Sequence, residues 1–316
     1  MKWQASAPAN IALIKYMGKS SAANNLPANI SLSYTLEHLR SFVELELNNN
    51  LTQDQWEPLQ DSRAAFIPTL NANAQQRYIN HLVFIKKQFN FTGHFIIRSA
   101  NNFPAGCGIA SSAASFAALT LCAVNALVEL TQREPLRILA IANLSRQGSG
   151  SSCRSLLGPW VFWQGQTVEA IELPYKHLHH FVVVITEQHK NITSSEAHQR
   201  VLTSPLYAGR IERAEQRYQQ LIAAFNQQNW SKAYEIVWQE FSDMHALFET
   251  AAQPFKYIQT ETQEVLDYLR VYWENNGDGP LVTLDAGPNV HVLFRDDQIA
   301  MFNAMKKEFA TNYMIL

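Results

Sequence analysis

Hydrophobic positions recur along this chain with two different spacings, and the change from one to the other divides it. Val43, Leu45 and Leu47 alternate with Glu44 and Glu46, a period of two that predicts a half-buried strand over Phe42–Leu47. Short apolar runs at Phe95–Arg98, Trp160–Trp163 and Phe181–Thr186 predict further strands. Between them, helical spacing occupies Gln75–Gln88, Ser112–Val128 and Leu136–Ser145. After Thr186 the texture turns helical, with long segments at about Leu206–Asn226, Trp230–Thr250 and Pro254–Asn275. Two strands (Leu281–Leu284, Val290–Phe294) and a last helix (Asp297–Phe309) close the chain. Strands and helices segregated in this way predict an α+β fold. The boundary is placed near Pro174–His180, giving domains of residues 1–178 and 179–316.

Composition narrows the function by exclusion. At 316 residues, 47% hydrophobic and 16% charged, the chain has the make-up of an ordinary globular protein with room for two domains. Twenty-five basic residues against 27 acidic ones supply no field for a nucleic acid or a membrane surface, so neither is expected as a partner. Any polyanionic ligand must be held by local groups. Three cysteines (Cys107, Cys122, Cys153) in no paired spacing point to a reducing cytoplasm, and the first residues lack a secretory pattern. Ser99–Val128 carries no charge and is long enough to span a bilayer, but its asparagines, proline, serines and many alanines favour a buried core helix.

Four stretches carry candidate chemistry. Pro104-Ala105-Gly106-Cys107-Gly108-Ile109-Ala110-Ser111-Ser112 joins an apolar strand to a long helix. Gly106 and Gly108 let the backbone curl close to a ligand, and the helix start offers N–H groups and a positive dipole end to phosphate. It is not a Walker loop: Gly18-Lys19-Ser20 has Leu13 where the first glycine belongs. Nor is it a dinucleotide fingerprint, because Ser111 replaces the third glycine. In Gly148-Ser149-Gly150-Ser151-Ser152-Cys153-Arg154, small residues let donors converge around an arginine able to grip an anion bidentately. Lys15 interrupts an apolar run, which is costly unless it is paired or snorkels. Asp285 follows a predicted strand and either makes an Asx turn or points into a cleft. Pairing Asp285 with Lys15 resolves both anomalies. His177, His179 and His180 have no acidic or thiol partner at ligand spacing and read as a solvated connector; His245 and His291 read as core.

The form Pro104…Gly108…Ser111-Ser112-Ala113 is similar to the phosphate loop of the small-molecule kinase (GHMP) superfamily. With Asn10-Ile11-Ala12…Lys15-Tyr16…Gly18-Lys19, Asn101-Asn102-Phe103-Pro104, Gly148–Arg154 and Asp285-Ala286-Gly287-Pro288-Asn289 in order, the chain resembles the diphosphomevalonate decarboxylase family. The resemblance implies a two-domain GHMP-kinase-type fold with an active-site cleft between the domains, the second ferredoxin-like, and a cytoplasmic homodimer. It implies ATP-dependent decarboxylation of mevalonate 5-diphosphate to isopentenyl diphosphate. The alternatives are a kinase that stops at the 3-hydroxyl, or a decarboxylase of the monophosphate. By position, Asp285, Lys15 and Arg154 would be catalytic. Tyr16, Lys19, Ser149, Gly150, Ser151, Arg154 and Ser194 would bind substrate. Ser99, Asn101, Pro104, Gly106, Gly108, Ser111 and Ser112 would bind ATP, the last two near Mg²⁺. Met17 stands where members carry Trp.

Overall fold

The structure, a computed structural model, describes residues 1–21, 24–64, 66, 69–104, 111–187 and 192–316. The first half contains β1 (Lys2–Ile14), the short pair β2 (Lys19–Ser21) and β3 (Leu26–Pro27), then β4 (Ser31–Leu47) and β5 (Gln55–Pro58). Helix α1 (Ala72–Gln88), β6 (Phe95–Asn101), α2 (Ser111–Thr131) and α3 (Ile138–Gly148) follow. A 3-10 turn at Gly150–Leu156 leads into β7 (Trp160–Gln164) and β8 (Thr167–Ile171). The second half runs β9 (Leu178–Val184), α4 (Ser194–Arg200), α5 (Arg210–Asn226), α6 (Trp230–Glu249) and α7 (Thr260–Asn276). It ends with β10 (Leu281–Thr283), β11 (Val290–Arg295), α8 (Ile299–Phe309) and β12 (Met314–Ile315).

The spine of the first half is β4. One of its edges pairs antiparallel with β1; the other pairs with β7 through Ser31–Tyr34 and with β6 through Ser41–Leu47. The period-two pattern revealed only the second part of this strand. Ser31–Leu36 is buried at every position, so no alternation marks it. A register shift opposite Pro8 and Ala9 bulges β4, and Asn102 satisfies the bulge by accepting from Arg40 N–H at 2.7 Å and donating to His38 C=O at 2.7 Å. Helices α1, α2 and α3 share one apolar cluster with β6 and the end of β4. The part of the long uncharged segment from Ser111 onward is the core helix α2, buried from Ala113 to Thr120 without a break.

The second sheet has the order β10-β11-β9-β12, wholly antiparallel. Along β9, Val182 and Val184 face the cluster that contains α5 and α6, while Phe181 and Val183 face the one that contains α7 and α8. A strand covered on both sides reads as a continuous apolar run, which is how it stood out in the sequence. Helix α7 begins later than its apolar spacing suggested. Gln259 and Thr262 form a reciprocal cap there, and Tyr257 upstream packs into a separate cluster with Met17 and Phe248.

Besides the clusters proper to each half, one cluster joins the two. Ile11, Leu13, Tyr34 and Trp160 share a cluster with Leu221, Phe225, Trp230 and Val237 of the helical block. Trp160 is fully buried, donates to Tyr175 C=O at 2.6 Å and packs against Tyr34 and Phe225. Trp160→Ala should therefore cost about 3–5 kcal/mol in urea unfolding. A loss below about 1 kcal/mol would show that this contact does not join the halves.

Candidate active site

A cleft of about 600 Å³ opens where the end of β1, α1, the first turn of α2, the Gly148–Arg154 segment, α4 and the β10–β11 loop converge. Among its described lining residues four are cations, Lys15, Lys19, Arg77 and Arg154, and Asp285 is the single carboxylate. A chain with a slight negative net charge thus presents a strongly positive pocket.

Lys15 follows directly on the last residue of β1, and its side chain is 1% exposed. Its Nζ donates to Asp285 Oδ1 at 2.8 Å, across the join between the two halves. The Asp285 carboxylate keeps 24% of its surface open to the cleft. Burial alone would raise this carboxyl, but the Lys15 ammonium, with His291 and Arg154, outweighs that and holds it below the ordinary aspartate range. Burial draws the Lys15 ammonium below its usual value, and Asp285 and Glu240 oppose the shift. Opposite charges at hydrogen-bond distance favour the charged form of each partner.

Both backbone groups of Lys15 are also held. Its N–H donates to Glu240 Oε1 at 3.0 Å, and its C=O accepts from Asn29 Nδ2 at 2.8 Å and Arg210 Nη2 at 3.1 Å. Arg210 and Glu240 are an ion pair with both side chains fully buried, extended by Asp243, Arg213 and Arg217. On the other side, His245 Nε2 lies 3.2 Å from the Asp285 C=O. Burial pushes His245 down to about 4, so the ring is neutral at physiological pH and donates through this nitrogen.

Arg154 is buried in the 3-10 turn, donates from Nη1 to Ser31 Oγ at 2.9 Å and leaves Nε without a partner among the described residues. The Tyr16 hydroxyl is likewise buried and unpartnered among them, and burial raises its pKa so that it stays a donor. Buried polar atoms are rarely left so in a finished structure, and both belong to cleft residues. Gly150 makes their approach possible, since a Cβ there would sit 2.9 Å from the Tyr16 oxygen. Asn10 fixes the segment from β1, donating to Ser155 Oγ at 2.8 Å and Ser151 C=O at 3.2 Å.

Of the residues expected at the site, Lys15, Tyr16, Lys19, Asn101, Ser111, Ser112, Ser149, Gly150, Ser151, Arg154, Ser194 and Asp285 all line the cleft. Ser99 and Pro104 do not. Ser99 is buried, and its Oγ accepts from Trp56 Nε1 at 2.9 Å, a contact that ties β5 to β6. Pro104 is buried at the end of the turn leaving β6. Gly106 and Gly108 lie outside the described residues. Sequence reasoning missed Arg77 and His198. Arg77 sits on α1 with no motif around it, its Nη2 reaching the Gly148 C=O at 3.3 Å. His198 sits on α4, where Nδ1 accepts from Gly18 N–H at 3.0 Å and the ring packs on Tyr16.

Residues 7–170 match the profile described as the diphosphomevalonate decarboxylase-like N-terminal domain, and residues 180–314 the mevalonate 5-diphosphate decarboxylase C-terminal domain. The chain belongs to the diphosphomevalonate decarboxylase family. The diphosphomevalonate decarboxylase of Ganoderma lucidum is 33% identical, over 90% of this chain and 76% of its own. A crystal structure of a mevalonate diphosphate decarboxylase from Legionella pneumophila shares 51% identity and a TM-score of 0.93, with 100% of each chain covered. MDDEF in complex with MVAPP, AMPPCP and magnesium shares 26% identity and a TM-score of 0.86, covering 100% of this chain and 95% of that one. The decarboxylase family's two-domain α+β architecture is thus the architecture of this chain.

The Glu240 carboxylate favours the charged form of Lys15, so removing it lowers the lysine's pKa further. In Glu240→Gln, the alkaline limb of the kcat/KM profile should move to lower pH. A limb that stays in place while activity falls would mean that Glu240 only supports the fold.

Proposed function

We propose that this cleft performs the family's ATP-dependent decarboxylation of mevalonate 5-diphosphate, giving isopentenyl diphosphate, ADP, phosphate and CO₂ by way of transient 3-O-phosphorylation. The observation that carries this is the Lys15–Asp285 ion pair in the same cleft as two buried, unsatisfied donors, Arg154 Nε and the Tyr16 hydroxyl. A substrate with a carboxylate for Arg154 and a diphosphate for Tyr16 presents acceptors matching those donors.

In the first step the substrate's 3-oxygen bonds to the γ-phosphorus of ATP as the bond to ADP breaks, and the hydroxyl proton passes to Asp285 as the O–P bond forms and from there to water. Asp285 accepts a hydrogen bond from that hydroxyl and orients it. Its lowered pKa makes it a weak base, and this suits phosphoryl transfer, where positioning and charge neutralisation carry most of the catalysis. Lys15 holds the carboxylate in one place and puts positive charge beside the moving phosphoryl group. In the second step the C3–O bond breaks with its electrons on phosphate, and positive charge develops at C3. The carboxylate's C–C bond electrons then form the double bond as CO₂ departs. Arg154 grips that carboxylate until it leaves, and the Asp285 charge stabilises the developing cation. Tyr16, Lys19, Ser149, Ser151 and Ser194 are assigned to the diphosphate.

The first turn of α2 places Ser111, Ser112 and Ser115 on the cleft, with Ser112 Oγ 3.3 Å from Ser149 Oγ. A helix start carrying hydroxyls suits a triphosphate. The hydroxyls also suit Mg²⁺, a hard cation that takes few protein oxygens beside those of phosphate. Ser111 and Ser112 are the residues that would hold it, and the ion supplies charge neutralisation across the phosphates. The complex of the relative MDDEF with MVAPP, AMPPCP and magnesium supports this choice of ligands. The homodimer and the cytoplasmic location are proposals resting on the resemblance; a monomer alone in sedimentation at micromolar concentration would remove the first.

Incubation with ATP, Mg²⁺ and mevalonate 5-diphosphate should release CO₂ and ADP in equal amounts. ADP without CO₂ would make the chain a kinase, and turnover of the monophosphate alone would reassign the substrate. Asp285→Asn should lower kcat by at least ~10³-fold with little change in KM, because it removes a transition-state role. Arg154→Lys should lose the bidentate grip and most of the CO₂ release, whereas native kinetics would remove Arg154 from the carboxylate.

A further inference from the structure

Away from the cleft, two neighbouring histidines meet a carboxylate that lies far from them in sequence. His177 and His179 flank Leu178 at the start of β9, and side chains two apart along a strand share a face. The antiparallel register sets Leu178 opposite Arg295 and His179 opposite Phe294. Continued by one residue, it brings Asp296, in the turn before α8, across from His177. His177 Nδ1 lies 2.6 Å and His179 Nε2 3.4 Å from the same Asp296 Oδ1. All three ligand atoms fall within 4.8 Å of one another. The solvated connector expected from spacing alone thus gains the acidic partner it was thought to lack.

We propose that His177, His179 and Asp296 form a binding site for a divalent transition-metal ion that prefers imidazole, with Zn²⁺ as the reference case. Two imidazole nitrogens and one carboxylate oxygen are a common zinc donor set, bound at about 2.0–2.2 Å. Four-coordinate ligands at such bond lengths lie about 3.3 Å apart. The present separations bracket that value, so small side-chain rotations close the site. His177 is 62% and Asp296 67% exposed, which leaves the fourth position to water. The His179 ring is held by packing on Phe302, 5.3 Å away. Neighbouring charges leave the carboxylate in place, since Arg295 is engaged by Asp278 and Asp297. Imidazole preference and one carboxylate select against Mg²⁺, so the site is distinct from the phosphate-bound ion of the cleft. A bound ion would pin the β8–β9 connector to the β11–α8 turn.

The test is calorimetric titration of the untagged full chain with Zn²⁺, and with Co²⁺ as a spectroscopic probe, in buffer containing excess Mg²⁺. One equivalent should bind, with a rise in Tm on the order of 2–5 °C at saturating Zn²⁺. His177→Gln and Asp296→Asn, both at exposed positions, should each weaken binding at least ~10-fold while leaving decarboxylase turnover unchanged. No saturable binding, or equal binding by wild type and both variants, would overturn the proposal. The second result would place the ion on other histidines or cysteines.

Discussion

A lysine without contact to water is tolerable only when its charge is answered, and the answer to Lys15 comes from 270 residues away at Asp285. The rest of the site depends on that requirement. Lys15 belongs to the first sheet and Asp285 to the loop between strands of the second, so the pair forms only when both halves are folded and closed. Each partner is also held from behind. Glu240 and Arg210 clamp the Lys15 backbone, and His245 the Asp285 carbonyl. The ammonium and carboxylate therefore meet at a fixed point, and a quarter of the carboxylate surface still faces the cleft. Preorganisation of this kind spares the cost of orienting dipoles at the moment of reaction.

The same economy appears in the treatment of anions. The chain has no net positive field, yet its cleft gathers four cations and the hydroxyl-bearing start of α2. Attraction is confined to the pocket, where low exposure makes each charge count for more than it would on a wet surface. Two cleft donors, Arg154 Nε and the Tyr16 hydroxyl, are buried and unpaired among the described residues and are placed for a ligand to complete them. Packing serves the same end: Gly150 allows Tyr16 to approach, and Met17 fills an apolar cluster with Met244 and Phe248 below it.

Much of this was legible from local pattern. Helices α1, α2, α5 and α6 and strand β9 announce themselves by spacing or by unbroken apolar runs, and Lys15 by its cost within such a run. Asp285 and Arg154 stood out because turn-forming residues surround them. Glu240 and Arg210 gave no signal, and His245 read as core without its contact to Asp285. On an amphipathic helix a charged residue at a buried position looks like one on the solvated face, until the partner helix is known. Arg77 is a basic residue on the polar side of α1, and only the tertiary fold turns it to the cleft. Ser99 lies two residues before the Asn101–Pro104 stretch that carries the resemblance, and its place behind the cleft, accepting from Trp56 Nε1, comes from strand pairing that local pattern does not report. Asp296 joins His177 and His179 through strand register, which spacing along one segment does not report.

The central claim is that Lys15 and Asp285 act as one unit. Its most direct test is a double-mutant cycle on kcat/KM with Lys15→Met, Asp285→Asn and the two together. If each residue works only through the other, the double variant should be no worse than the poorer single variant, within about threefold. Losses that multiply would mean that the two act separately, and would contradict the account.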